Sequence, residues 1–207
     1  ITDCYNKGNV TSDGNTVGGI AGWVNNYTNT SKCYNEGNIE STGTQVGGIF
    51  GSSSKGNTIS DCYNIGYIKA AKYVGGIGGS NASTISNSHN VGTVYGTSYY
   101  GAGSIAGKNT GTITNSYYLT DSATINLYEV TVQNGVGGND RNVVADIEGA
   151  TISASAEELA SGKICYLLNG KTAGTETAIW KQTLGEDRYP VFEDKIVYYN
   201  CYYDTYL

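Results

Sequence analysis

Val46-Gly47-Gly48-Ile49-Phe50-Gly51 is one of four versions of a single hexamer in this chain. Val17 to Gly22 stands 29 residues before it, Val74 to Gly79 follows 28 residues after, and Ala102-Gly103-Ser104-Ile105-Ala106-Gly107 another 28 on. A second element keeps step with it. Cys4-Tyr5-Asn6 returns as Cys33-Tyr34-Asn35, Cys62-Tyr63-Asn64 and Ser88-His89-Asn90, at spacings of 29, 29 and 26; a partial fifth copy begins 28 later at Asn115-Ser116-Tyr117-Tyr118. A fixed period of this size signals a stacked array of coils, in which each repeat buries its apolar side against its neighbours.

Alignment of the copies gives five apolar columns: Ile1/Thr30/Ile59/Ile85/Ile113, the Cys column, Val10/Ile39/Ile68/Val94, Val17/Val46/Val74/Ala102 and Ile20/Ile49/Ile77/Ile105. Between them lie Gly, Asn, Ser and Thr. Nothing in this half has the i, i+3, i+4, i+7 pattern of an amphipathic helix. Short strands broken by Gly and Asn are expected, about three per coil, for example Thr58 to Tyr63, Tyr67 to Ala70 and Tyr73 to Gly79. The fold class is therefore all-β: a parallel β-solenoid of about 28 residues per coil, right-handed by the default of parallel crossovers, with equivalent residues about 4.8 Å apart. Asn6, Asn35, Asn64 and Asn90 are expected to form a ladder at a bend. The length variation between Val10 and Val17 and between Gly22 and Cys33 marks outward loops.

The period dissolves after Leu119, which divides the chain into repeats at 1–119 and a β-rich capping region at 120–207. Ser155-Ala156-Glu157-Glu158 is a capping box that opens a helix over about 156–168, stopped by Asn169-Gly170. Its apolar face is suited to covering an open end of the β-stack, where bare strand edges recruit other chains.

The chain has 207 residues, net charge −6, 14% charged residues, 30 Gly, 19 Tyr and a single His. The 12 basic residues are scattered, so no basic face suits nucleic acid. No apolar run approaches the roughly 20 residues that span a bilayer, so no membrane insertion is expected. Cys4, Cys33 and Cys62 share one column, and Ser88 and Ser116 replace them. That pattern favours a ladder of small packed thiols over a zinc site, whose Cys pairs lie two to four residues apart. Cys165 and Cys201 are better candidates for a disulfide.

The Gly-Gly-Ile-x-Gly elements, each with Cys-Tyr-Asn-x-Gly-x-Val/Ile, resemble the bacterial GLUG-motif repeat over about residues 1–119. That resemblance implies a secreted or cell-surface protein, in a family that includes adhesins and immunoglobulin-A-cleaving metallopeptidases. Glu158 to Gly162, Tyr166 to Gly170, Trp180 to Gly185 and Tyr189-Pro190-Val191 look like the segment that often follows such repeats in surface proteins of gut bacteria. The resemblance supplies neither ligand nor catalytic residues. With His89 alone, the HExxH zinc motif of the peptidases cannot be written.

His89 stands where other copies carry Tyr5, Tyr34 and Tyr63, so it reads as a repeat variant rather than a catalytic base. The repeat acids Asp3, Asp13, Glu36, Glu40 and Asp61 are scattered, whereas a solenoid lyase or hydrolase needs converging carboxylates. Gly137-Gly138-Asn139-Asp140 occurs once and reads as a turn, because the calcium nonapeptide works in tandem. No cofactor, metal or catalytic residue is expected. The candidate ligand-binding residues are Tyr27, Tyr73, Tyr95, Tyr99 and Tyr100, whose rings suit sugar stacking or a partner's pocket; half-buried strand positions also favour Tyr. The expected role is a non-enzymatic extracellular module of a bacterial cell-surface protein, an adhesin or stalk that meets a host or bacterial surface glycan or protein. The alternative is a carbohydrate-binding module of a larger secreted enzyme, using loops 23–31 and 95–101.

Overall fold

The computed structural model describes residues 1–98, 100–125, 130–132, 134–137, 151–171 and 178–192. It forms two compact units, Ile1–Ser153 and Ala154–Leu207. Unit 1 is the expected parallel β-solenoid of about four turns. A coil carries five short strands where the sequence suggested three. In the third coil they are Thr58–Ser60, Tyr63–Asn64, Ile68–Ala70, Lys72–Gly75 and Gly78–Asn81. Two of the expected strands, Thr58 to Tyr63 and Tyr73 to Gly79, split where the chain turns a corner, and Tyr67 to Ala70 stays single as Ile68–Ala70. Asp61, one of those corners, adopts a left-handed φ of 52°, and the equivalent Asp3, Lys32, Asn87 and Asn115 do the same at 44–53°. Asp and Asn tolerate this region best among non-Gly residues.

Equivalent strands pair in parallel and in register, Ile59 with Thr30 and Ile85, Ile68 with Ile39 and Val94, Val74 with Val46 and Ala102. The five apolar columns are thus real ladders. They fill two cores. One holds Cys33, Cys62, Ile49, Ile77, Ile105, Ile59 and Ile85, and the other Ile39, Ile68, Val94, Val46 and Val74.

The Asn ladder lies between these cores. Asn6 Nδ2 donates to Asn35 Oδ1, Asn35 Nδ2 to Asn64 Oδ1, and Asn64 Nδ2 to Asn90 Oδ1, each at 2.7 Å. These three Nδ2 atoms and that of Asn90 also donate to the carbonyls of Gly8, Gly37, Gly66 and Gly92, and a Cβ on Gly37, Gly66 or Gly92 would lie 2.0, 2.1 or 2.2 Å from the carbonyl of the glycine one coil below, which accounts for the Cys-Tyr-Asn-x-Gly motif. The Gly-Gly-Ile-x-Gly motif has a matching cause. A Cβ on Gly76 would lie 2.2 Å from Asn90 Cγ and 2.4 Å from Ser104 O, and one on Gly79 would lie 2.3 Å from the Val46 nitrogen. Only Gly lets the chain pass this close to the ladder and to the facing strand.

The readable repeats end at Leu119, but the ladders run further. Ala123–Ile125 pairs with Val94–Gly96, Val130–Val132 joins it antiparallel, and Thr151–Ala154 extends the Asn-bearing sheet. The outward loops fall where length variation placed them, at 13–16 and 25–28 in the first coil.

Unit 2 opens with the expected capping box: Ser155 Oγ accepts from Glu158 N–H, and Glu158 Oε2 accepts from Ser155 N–H. The single expected helix is two, α1 (Ala156–Ala160) and α2 (Lys163–Leu168), because Gly162 turns left-handed at φ 86° between them. Trp180 is fully buried, and Asn169 holds its backbone through two hydrogen bonds. The Cys165 thiol is free and buried, which pushes its pKa up to about 12. Cys201 lies outside the described residues.

If close approach fixes the glycines, Gly76→Ala lowers the urea-unfolding free energy by more than about 3 kcal/mol or prevents folding. Gly8→Ala, whose Cβ would meet nothing nearer than 3.8 Å, changes it by less than about 1 kcal/mol.

Candidate functional site

The Cys-Tyr-Asn strands turn Asn inward and Tyr to the opposite face. Tyr5, Tyr34, Tyr63 and His89 form a column of stacked rings, with centroids 5.3, 4.9 and 5.2 Å apart and interplanar angles of 16°, 1° and 8°. His89 therefore takes over the Tyr position as a ring in the stack. Exposure falls along it from 62% at Tyr5 to 3% at Tyr63 and 0% at His89. The sequence showed the Tyr column, but not that its rings would stack.

Two of the scattered acids, Glu36 and Glu40, each meet a lysine one coil away. Glu36 pairs with Lys7 at 3.3 Å and Glu40 with Lys69 at 3.5 Å. Hydrogen bonding to Glu36, with its charge, raises the Lys7 pKa. Burial pushes the Cys62 thiol up, and a hydrogen bond from Cys62 draws the adjacent Cys33 down to about 7. Cys4, Cys33, Cys62 and Cys165 are free thiols, and among the described residues no group of three or more His, Cys, Asp or Glu is placed to hold a metal ion.

The candidate tyrosines separate into distinct places. Tyr27 is 83% exposed on the turn between Ala21–Val24 and Asn29–Ser31, at a left-handed φ of 56°. Its ring packs over Gly56 of the next coil, where a Cβ would come within 2.5 Å. Asn57 fixes this turn by accepting from Thr28 N–H and donating to the Val24 and Ser54 carbonyls. Trp23 lies on the strand Ala21–Val24 that leads into this turn, 65% exposed, its indole N–H donating to Ser54 Oγ at 3.2 Å. Both rings are thus held from the second coil while facing solvent.

Tyr73 and Tyr100 come together elsewhere. Tyr73 N–H donates to Tyr100 O at 3.2 Å across adjacent coils. Lys72 Nζ lies 4.5 Å from the Tyr100 ring centroid, and Lys108 Nζ 5.5 Å from that of Tyr73. Tyr95 lies in register between Lys69 and Thr124 on a separate sheet and is half-buried. Tyr99 lies outside the described residues. The sequence thus indicated Tyr73 and Tyr100 but not the two lysines. Those approach only through coil stacking, and no local motif joins Lys72 to Tyr100 or Lys108 to Tyr73.

No protein-family model matches the chain, and no curated protein matches it. A solved structure from Bacteroides ovatus, described as a "putative immunoglobulin A1 protease", resembles it with a TM-score of 0.66 and 27% sequence identity, over 94% of this chain. The match takes in 57% of that protein, so this chain spans little more than half its length.

Trp23 and Trp180 differ enough in exposure, 65% against 0%, to be separated by fluorescence. Acrylamide should quench the native emission in part, and Trp23→Phe should leave only blue-shifted emission that acrylamide quenches poorly. Unchanged quenching in that variant would show that the strand does not present Trp23.

Proposed function

We propose that this chain is a non-enzymatic extracellular module of a bacterial cell-surface protein, built from GLUG-type repeats and acting as stalk or adhesin. The observation that carries this reading is the unbroken stacking of the coils. Inward positions go to the apolar and Asn ladders, and the corners to tight turns, which leaves the outer columns and loops to meet other molecules. Such quasi-one-dimensional arrays lend themselves to extended binding surfaces. The likeness to the Bacteroides ovatus protein supports a bacterial setting. Its description as a protease concerns a protein of which this chain matches 57%. No helix among the described residues is long and apolar enough to cross a membrane.

A second reading, a carbohydrate-binding module, is favoured by one specific feature, the two exposed and anchored rings of Trp23 and Tyr27 at one turn. Exposed aromatic faces with polar neighbours suit the C–H face of a sugar.

Two measurements on the whole chain test these readings. Antibodies raised against it should label intact cells that make the parent protein, and immunoglobulin A1 incubated with it should stay uncut. Cleavage would overturn the non-enzymatic reading, and labelling only after lysis would overturn the extracellular one. On a glycan array, saturable binding lost in Trp23→Ala and in Tyr27→Ala favours the carbohydrate module; no binding favours the stalk.

A further inference from the structure

The fourth coil departs from its neighbours at the corner carrying Tyr100. It spends eight positions from Val94 to Ala102, whereas the third spends six from Ile68 to Val74. The described residues of the longer loop are tied down. Ser98 Oγ donates to Ala71 O on the coil beneath, Thr97 N–H donates to Ala70 O at 2.9 Å, and Tyr73 N–H donates to Tyr100 O. Gly101, at φ 55°, lets the chain turn under Tyr73, whose Cδ1 lies 2.8 Å from where a Cβ would be. The Tyr73 ring and the Tyr100 backbone are therefore held together before any ligand arrives.

The charges at this corner differ from those on the Lys7 and Lys69 ladders. The chain carries net charge −6, and Lys7 and Lys69 each face a carboxylate one coil away. Among the described residues, Lys72 and Lys108 belong to no ion pair. Each ammonium instead lies over a tyrosine ring. Their ladder partners are hydroxyl residues, Thr44 opposite Lys72 and Ser80 opposite Lys108. Two cations with no ion pair among the described residues, two amphipathic rings and the hydroxyls of Thr44 and Ser80 thus lie on three consecutive coils.

We propose that Lys72, Tyr73, Tyr100 and Lys108 form a binding site for a carboxylate-bearing pyranose, a uronic or sialic acid unit of a glycan. The carboxylate takes the counter-ion place at the lysines. The C–H face of the sugar covers aromatic surface, and its hydroxyls meet the phenols and the hydroxyls of Thr44 and Ser80. An acidic peptide offers the same charge but no flat, hydroxyl-edged ring to match the tyrosines. The proposal rests on the reading of the chain as a surface-binding module and names the ligand chemistry for one of its faces.

The test is calorimetric titration of the whole chain with four probes: a glucuronic acid oligomer, a sialylated trisaccharide, the carboxyl-reduced form of the first, and a decapeptide of glutamate. At least one acidic saccharide should bind, and whichever binds identifies the source. For a uronate binder the reduced form should bind about tenfold more weakly, and for a sialoside binder the asialo disaccharide takes its place as control. Lys72→Gln and Lys108→Gln should each weaken binding roughly fivefold and their combination should abolish it. Tyr100→Leu should weaken it with both lysines present, Lys69→Gln should leave it unchanged, and circular dichroism should match the parent in every variant. The proposal is overturned if neither acidic saccharide binds, if the lysine variants bind as the parent does, or if the glutamate peptide binds as tightly as the sugar. Each of those outcomes leaves the module reading standing, since that reading depends on surface labelling and intact immunoglobulin A1.

Discussion

The file of asparagine amides from Asn6 to Asn90 sets the geometry of this solenoid. Asn64 shows the pattern: its Oδ1 accepts from Asn35, and its Nδ2 donates both to Asn90 and to the Gly66 carbonyl. Asn35, Asn64 and Asn90 are fully buried. A buried amide without partners costs about 1–3 kcal/mol for each unsatisfied group. A coil shifted by one residue would strand the amides above and below it and turn its apolar residues outward. The ladder therefore locks the register, while the apolar columns on either side supply most of the burial energy.

The glycines follow from that ladder. Gly48 stands in sequence between Val46 of one core and Ile49 of the other, and Asn64 between Cys62 and Ile68 of the same two cores. A Cβ on Gly48 would lie 2.6 Å from Asn64 Oδ1, so the waist between the cores is as narrow as a backbone against an amide. With the interior committed to these contacts, variety is confined to the outside. There the coils differ in loop length, in the Lys–Glu pairs and in the aromatic residues, and there the exposed Trp23 and Tyr27 and the Tyr73–Tyr100 corner are found.

The architecture was legible in the sequence because stacking forces equivalent residues to share one environment. The period, the five apolar columns, the Asn ladder and the positions of the outward loops all followed from that rule, and the capping box from its own local motif. What escaped had no such signature. The split of Thr58 to Tyr63 into two strands depends on a left-handed corner occupied by residues as different as Asp3 and Lys32, which Gly and Asn placement does not announce. The break between α1 and α2 hangs on Gly162, which stands amid strong helix formers. Of the candidate site, the sequence offered tyrosines but could not sort them. Tyr27 is exposed, Tyr95 is half-buried on another sheet, and Tyr73 and Tyr100 acquire their significance from Lys72 and Lys108, contacts that only coil-to-coil stacking creates.

The claim on which the rest depends is that the Asn ladder, rather than apolar burial alone, holds the coils in register. Urea unfolding of Asn64→Ala measures it most directly. The account predicts a loss of about 2–4 kcal/mol with an unchanged denaturant slope, because the Asn35 and Asn90 amides each lose a buried partner. A loss below about 0.5 kcal/mol would contradict it and assign the register to the Ile and Val columns instead.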